Sequence, residues 1–305
     1  MAITQLIDLG KVFGKDINLY IKRDDLYPIS GGGNKGRKAE YILAKCIADG
    51  CNAVVTCGGA QSNHVRATAI RCKELGITCT IVIHATEPSE SNGNHKLLQL
   101  LGVKIVYCEM VDVAKVMDAE MAEHAKQGLK PYYIWGGGHC LEGTQAFYDA
   151  AFEAHTQAKQ HFDFVFHASG TGATQAGLHV GFKKINLATQ VIGISVARQN
   201  PRGTEAITHS VLEFVKENEL DNQLSENIIF DDEFIAGGYE KTNPEQLNVI
   251  KSVAEQTGII LDPTYSGKAW YGMQQYIKSG KVKPGSNVLF WHTGGLLNLM
   301  ATKQI

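Results

Sequence analysis

Apolar side chains after Lys35 recur at Ala39, Ile42, Leu43, Cys46 and Ile47. That spacing of i, i+3, i+4, i+7 and i+8 gives a helix one stripe to bury. Asp49-Gly50 ends it, because glycine takes the left-handed cap conformation without steric cost. The period then changes. Ala53-Val-Val-Thr-Cys57 reads as a strand and Asn63 to Leu75 as a helix. Ile77–Ile83, Val103–Tyr107 and Tyr132–Trp135 read as further strands, with helical stretches between them, one around Val113 to Gln127. Phe164–Phe166, Val191–Val196 and Val288–Trp291 follow, each beside a helical pattern. Short β-branched or aromatic runs alternating with amphipathic helices predict an α/β protein whose sheets are mainly parallel, with helices on both faces. The stretch 50–161 holds a self-sufficient series of four such strands, and a second series starts near 162. The expected organisation is two open, mainly parallel α/β domains: a larger one from 1–49 and 162–305, a smaller one from 50–161. A ligand site belongs in the cleft between them.

Composition narrows the choice of function. The chain has 305 residues, 44% of them hydrophobic and 20% charged, which suits packed domains and not disorder. Its 29 basic and 31 acidic side chains leave a net charge of −2, so no general field attracts a polyanion and a nucleic-acid role is disfavoured. No apolar run approaches membrane-spanning length, and Met1-Ala-Ile-Thr-Gln5 lacks the basic-then-apolar start of a secretory signal. Seven cysteines, all at or before Cys140, form no Cys-x-x-Cys pair. They read as reduced, mostly core thiols of a cytoplasmic protein, without disulfide or metal duty.

Four motifs could carry chemistry. Ser30-Gly-Gly-Gly-Asn-Lys35-Gly-Arg-Lys38 turns into the first long helix, with Asn34 as a candidate cap. A lysine in the first turn of a helix sits against the positive end of the dipole, which helps an amine that must be neutral to act as a nucleophile. Lys38 reads as an ordinary solvated helix residue, and the plain reading of the whole motif is a glycine turn with surface lysines. Ser169-Gly170-Thr171-Gly172-Ala173-Thr174-Gln175-Ala-Gly177 follows a strand and opens a helix. Its free amides and hydroxyls suit one phosphate dianion, although a structural glycine turn stays open. Gln175 stands where a dinucleotide fingerprint wants glycine, and the next strand runs into Arg198, not an acid, so a monophosphate is favoured over NAD. Gly58-Gly-Ala-Gln61-Ser62-Asn63-His64 offers either a helix cap or donors for a substrate carboxylate. Asp262-Pro-Thr-Tyr265-Ser266-Gly267-Lys268 and Phe290-Trp-His292-Thr293-Gly-Gly295 are weak signals singly, and His292 reads as a packed histidine.

In combination, and in this order, the motifs resemble those of the fold-type II pyridoxal 5′-phosphate (PLP) enzymes, specifically the D-cysteine desulfhydrase and 1-aminocyclopropane-1-carboxylate (ACC) deaminase group. The resemblance runs from Ile21-Lys-Arg-Asp-Asp-Leu26 to the final Thr-Gly-Gly, nearly the whole chain. It implies that Lys35 forms the Schiff base with PLP, that the larger domain binds the cofactor, and that Gly170, Thr171, Gly172, Ala173 and Thr174 form the phosphate cup. It implies that Asn63 stands beside the ring oxygen and Thr293 near the pyridine nitrogen. It assigns Ser62, Tyr239 and Tyr265 catalytic parts, and Gln61, Ser62, Asn63, His64 and Ser266 substrate binding.

ACC deaminases resemble one another in having glutamate after the second tyrosine and leucine before the Gly-Gly. Ser266 and Thr293 stand there instead, the desulfhydrase-like pair. A hydroxyl leaves the pyridine nearer neutrality, a weaker electron sink that suits loss of a good β leaving group. The expected reaction is α,β-elimination on a small amino acid, D-cysteine giving pyruvate, ammonia and hydrogen sulfide. The alternatives are conversion of ACC to 2-oxobutanoate and ammonia, or a non-catalytic PLP-fold sensor. A homodimer is implied by analogy. Trp135-Gly-Gly-Gly-His139-Cys140 and Arg198-Gln-Asn-Pro-Arg202 depart from the family pattern. His139 or Arg202 contacting an acidic substrate and simple surface placement are both open readings.

Overall fold

The structure, a computed structural model, describes residues 3–10, 17–28 and 30–303. Met1 and Ala2, part of the N-terminal reading above, lie outside the described residues. In chain order the elements are β1 (Leu6–Gly10), β2 (Asn18–Lys22), α1 (Asn34–Ala48), β3 (Ala53–Gly58), α2 (Asn63–Glu74), β4 (Thr78–Ile83) and α3 (Gly93–Leu100). They continue as β5 (Lys104–Tyr107), α4 (Val113–Lys126), β6 (Pro131–Ile134), α5 (Leu141–Ala158), β7 (Phe164–Ser169), α6 (Ala173–Ile185) and β8 (Gln190–Ser195). Last come α7 (Arg202–Glu217), β9 (Ile229–Asp231), α8 (Pro244–Thr257), α9 (Ser266–Lys278), β10 (Asn287–Trp291) and α10 (Leu296–Ala301).

Two sheets result, ordered β1-β2-β10-β7-β8-β9 and β5-β4-β3-β6. Every pairing is parallel except β1 with β2, where Ile7 faces Ile21 in an antiparallel ribbon. The mainly parallel α/β expectation is met. The strand readings within 53–135 and 164–291 coincide with observed strands to within a few residues. The pattern did not single out β1, β2 and β9, which are three to five residues long.

Both faces of each sheet are covered, so the strands read as continuous apolar runs. On the larger sheet, Phe166, Ile192, Ile194 and Phe290 pack with Trp270 of α9 and Ile250 of α8 on one side. Val165, Leu289 and Trp291 pack with Phe147 of α5 and Leu178 of α6 on the other. On the smaller sheet, Val54, Ile81 and Ile83 pack with Ile42, Leu43 and Cys46 of α1 and Val65 of α2. Val55 and Val82 face Met117 of α4. The buried stripe of α1 thus joins the smaller sheet's core and that of α5 the larger sheet's, while α1 and α5 also touch each other. All seven cysteines are free thiols, four buried and three half-buried.

A buried ion network fixes the N-terminal turn of α1. Asp24 accepts from Arg37 Nη2 at 2.8 Å, Arg37 Nε at 3.1 Å, Thr4 Oγ1 at 2.7 Å and Trp291 Nε1 at 2.9 Å. Arg37 also reaches Glu153 of α5 at 2.8 Å, and Lys22 pairs with the same carboxylate. With every charge bonded, the pairing offsets the desolvation that buried ions suffer. Lys35 lies two residues from Arg37, on the same turn.

Candidate active site

The loops that leave the carboxyl ends of β3, β7 and β10 meet the starts of α1 and α9 at one cleft, the usual ligand position in parallel sheets. Asn34, Lys35, Asn63, Thr293 and Tyr265 line it together with the stretch from Ala168 to Gly172 and Thr174. Four motifs separated by up to 260 residues of chain thus share one wall.

Lys35 is presented by packing. Asn34 N–H donates to the Thr293 carbonyl at 3.0 Å, and the Asn34 side chain donates to Thr174 Oγ1 at 3.2 Å. Gly33, at φ +82°, brings its backbone so close to Thr293 that an added Cβ would lie 2.9 Å from that carbonyl oxygen. Gly31 and Gly32 also have positive φ, which only glycine adopts freely. Arg66 of α2 then inserts its guanidinium among the carbonyls of Ser30, Gly31 and Gly32. Lys35 Nζ donates to the Gly137 carbonyl at 2.9 Å, and Lys38 Nζ reaches the same oxygen at 3.3 Å. Lys38 is therefore buried, not the solvated helix residue the sequence suggested. Burial brings Lys35 down from 10.5 to about 8. Burial and the neighbouring Lys35 charge lower Lys38 well below its ordinary value. Two amines on one carbonyl disfavour each other's protonation.

The loop after β7 opens α6 with Gly172 at φ +116°, a conformation reserved for glycine. The first N–H groups of a helix have no intrahelical partner, and together with the dipole they form an anion site. Ser169 Oγ, at the cleft wall, is buried without a hydrogen-bond partner. Asn63 accepts from Asn94 Nδ2 at 2.9 Å through its own carbonyl, which leaves its amide N–H groups for the cleft. Tyr265 is held well above 10.0 by burial and by Tyr239, whose hydroxyl it meets in a hydrogen bond. Tyr239 itself is pushed up to about 12, chiefly by burial. Both phenols are neutral at physiological pH.

Other residues singled out from the sequence have tasks away from that wall. Ser62 Oγ caps α2, accepting from His64 N at 3.2 Å and Val65 N at 3.5 Å. Gln61 spends its side chain on Asn92 and the Asn94 N–H, tying α2 to α3. His64 is buried and bonded to Thr56 Oγ1 at 2.8 Å; burial first, then the two lysines, drive its pKa well below 6.5. Ser266 Oγ donates to Asp262 Oδ1 at 2.7 Å, inside the turn that starts α9. His292 is packed as expected, its ring meeting the Ile260 carbonyl at 2.9 Å and the Gly294 N–H at 3.2 Å. Sequence reasoning missed Arg66, and gave no role to Lys268, whose ammonium gathers the carbonyls of Val196, Ile235 and Gly238 and so anchors the loop carrying Tyr239. Nothing local distinguishes these two from surface cations.

The pyridoxal-phosphate dependent enzyme family matches residues 2–294. The chain belongs to that family. A putative 1-aminocyclopropane-1-carboxylate deaminase of Pyrococcus abyssi is 36% identical over 286 residues, 92% of this chain and 85% of its own length. The D-cysteine desulfhydrase of Yersinia enterocolitica is 34% identical over 307 residues, 98% of this chain and 92% of its own length. Among solved structures, an ACC deaminase homologue superposes with a TM-score of 0.87 at 33% identity, covering 96% of this chain and 90% of that one. The fold is thus that of the type II PLP enzymes, and the enzyme depends on PLP.

The cleft of this PLP enzyme fits its cofactor. The orphaned Ser169 hydroxyl and the amides that open α6 suit a dianionic tail. The Lys35 amine, brought to about 8, suits condensation with an aldehyde. When bound, PLP supplies that aldehyde and an electron-withdrawing ring. Among the described residues, no helix is long and apolar enough to cross a membrane.

Proposed function

We propose that this PLP enzyme removes the β-substituent of a small amino acid, with D-cysteine as substrate and pyruvate, ammonia and hydrogen sulfide as products. Thr293, and no carboxylate, lines the cleft, and this observation carries the choice of elimination over ring opening. Lys35 would hold the cofactor's aldehyde carbon, residues 170–174 its phosphate, Asn63 would donate beside the ring oxygen, and Thr293 would face the ring nitrogen. A hydroxyl hydrogen-bonds without delivering a full positive charge, which matches a reaction whose leaving group departs readily.

Lys35 Nζ, once free, takes the proton from the substrate α-carbon, and Ser62 with Asn63 receives the substrate carboxylate at the start of α2. Tyr265, kept protonated by its buried position, is the donor for the departing sulfur, with Tyr239 orienting it. Ser266 is turned toward Asp262, so this position offers nothing to the ring. Gln61 and His64 shape the entrance through α2 and α3. The division proposed is 1–49 with 162–305 for the cofactor-binding domain and 50–161 for the smaller one, with α1 packing across onto the smaller sheet and α5 onto the larger. The enzyme works as a cytoplasmic homodimer, a placement that free cysteines support.

Purified enzyme is assayed side by side for sulfide from D- and L-cysteine and for 2-oxobutanoate from ACC. Sulfide release from D-cysteine that disappears in Lys35→Ala is the expected result. Turnover of ACC in preference to cysteine refutes the assignment in favour of the deaminase reading. Retained PLP without turnover of any amino acid refutes it in favour of a sensor.

A further inference from the structure

The two segments that depart from the family pattern, 135–140 and 198–202, both pack against the loop 170–174. Arg198 Nη1 donates to the Thr171 carbonyl at 2.8 Å. The arginine's own backbone is fixed, since Ser195 Oγ donates to its carbonyl at 2.6 Å and accepts from Ala197 N–H at 3.2 Å. Asn200 ties the following turn to Asp232 at 2.8 Å and to the Phe230 carbonyl at 3.1 Å. From the other side, His139 Nε2 lies 2.8 Å from Ser210 Oγ of α7, and its Cε1 would be 3.6 Å from a Cβ placed on Gly172. Gly137 lies so close to Thr171 that an added Cβ would be 2.7 Å from Thr171 Oγ1. His139 is half-buried against Ser210, and Arg202 is exposed at the start of α7.

The direction of the brace has a chemical consequence. A trans peptide is planar, with its C=O and N–H pointing opposite ways. Holding the Thr171 oxygen on Arg198 therefore turns the Gly172 N–H away from the arginine, and Gly172 lines the cleft. The guanidinium is half-buried, and the charge acting on it is the like charge of Arg202, not a carboxylate. Lys35 is the one charged side chain among the cleft residues, so little else balances a dianion there.

We propose that Arg198 is a positioning residue for the phosphate of PLP: it grips the loop from behind, aims the Gly172 N–H, and sets a cation one peptide away from the dianion. This rests on the reading of 170–174 as the phosphate loop. The test compares full-length wild type, Arg198→Met and Arg198→Lys for equilibrium binding of PLP and of pyridoxal, which lacks the phosphate, followed by the visible absorbance of the bound aldehyde. Arg198→Met is expected to weaken PLP about tenfold, as loss of a charge-assisted hydrogen bond does, while pyridoxal changes less than about twofold and Arg198→Lys falls between. Equal weakening of both aldehydes, or of neither, overturns the inference alone. A wild type that binds PLP no more tightly than pyridoxal overturns the phosphate-loop reading as well.

Discussion

The amine of Lys35 offers a direct physical test, because burial brings it from 10.5 to about 8. The perturbation is pH, applied to the cofactor-stripped chain as it recaptures PLP. At pH 7.5 an amine of ordinary basicity is about one part in a thousand neutral, whereas one titrating near 8 is about one quarter neutral, so the free nucleophile is roughly 200-fold more abundant. Part of that gain is returned, since a less basic amine attacks more slowly. Burial lowers this basic group, so protonation is what the folded site resists. Below about 8 the capture rate should therefore fall about tenfold for each unit of pH, and above about 8 it should level off. Rapid mixing with PLP across pH 6–10, read as visible absorbance and trapped covalently by borohydride, measures this, with Lys35→Ala as the blank. A rate that keeps climbing toward pH 10 without a plateau would show an ordinary solvated lysine and refute the argument from burial.

Two further predictions concern stability. A Cβ on Gly177 would lie 2.2 Å from the Thr144 carbonyl oxygen where α6 crosses α5; Gly177→Ala should destabilise by about 2–3 kcal/mol, read from denaturant midpoints. Arg37→Met leaves Asp24 buried without its partner and should cost about 3–5 kcal/mol. Burial pushes Asp24 up, but Arg37, Thr4 and Trp291 outweigh it and hold the carboxyl below its usual range. A depressed acid stabilises above its unfolded pKa and loses that contribution as pH falls through the folded value. The Asp24 contribution to the wild type should therefore be lost only below about pH 4, whereas in Arg37→Met this carboxyl should begin to respond at higher pH. Identical acid profiles for the two proteins would refute that account.

The glycine turns were legible because their cause is local. Gly31, Gly32, Gly33 and Gly172 sit at positive φ, and runs of glycine announce such backbones. The stripe of α1 was legible too, since Ile42, Leu43 and Cys46 do face one core. Polar residues in motifs were harder. Gln61, His64 and Ser266 look like ligand binders, yet each is committed to Asn92 and Asn94, Thr56 or Asp262. Lys38, Arg66 and Lys268 look like surface cations, yet their ammonium or guanidinium groups sit among backbone carbonyls.

By itself the sequence determined the alternation of strand and helix, the glycine turn after β7 and the lysine at the mouth of α1, because periodicity and backbone freedom act within a few residues. Only the tertiary structure decided which polar groups reach the cleft, how far the Lys35 amine is desolvated, and that 135–140 and 198–202 brace one loop. Those depend on partners as far apart in the chain as Arg198 and Thr171 or Lys35 and Gly137, and the strength of a charge or hydrogen bond is set by what the fold packs around it.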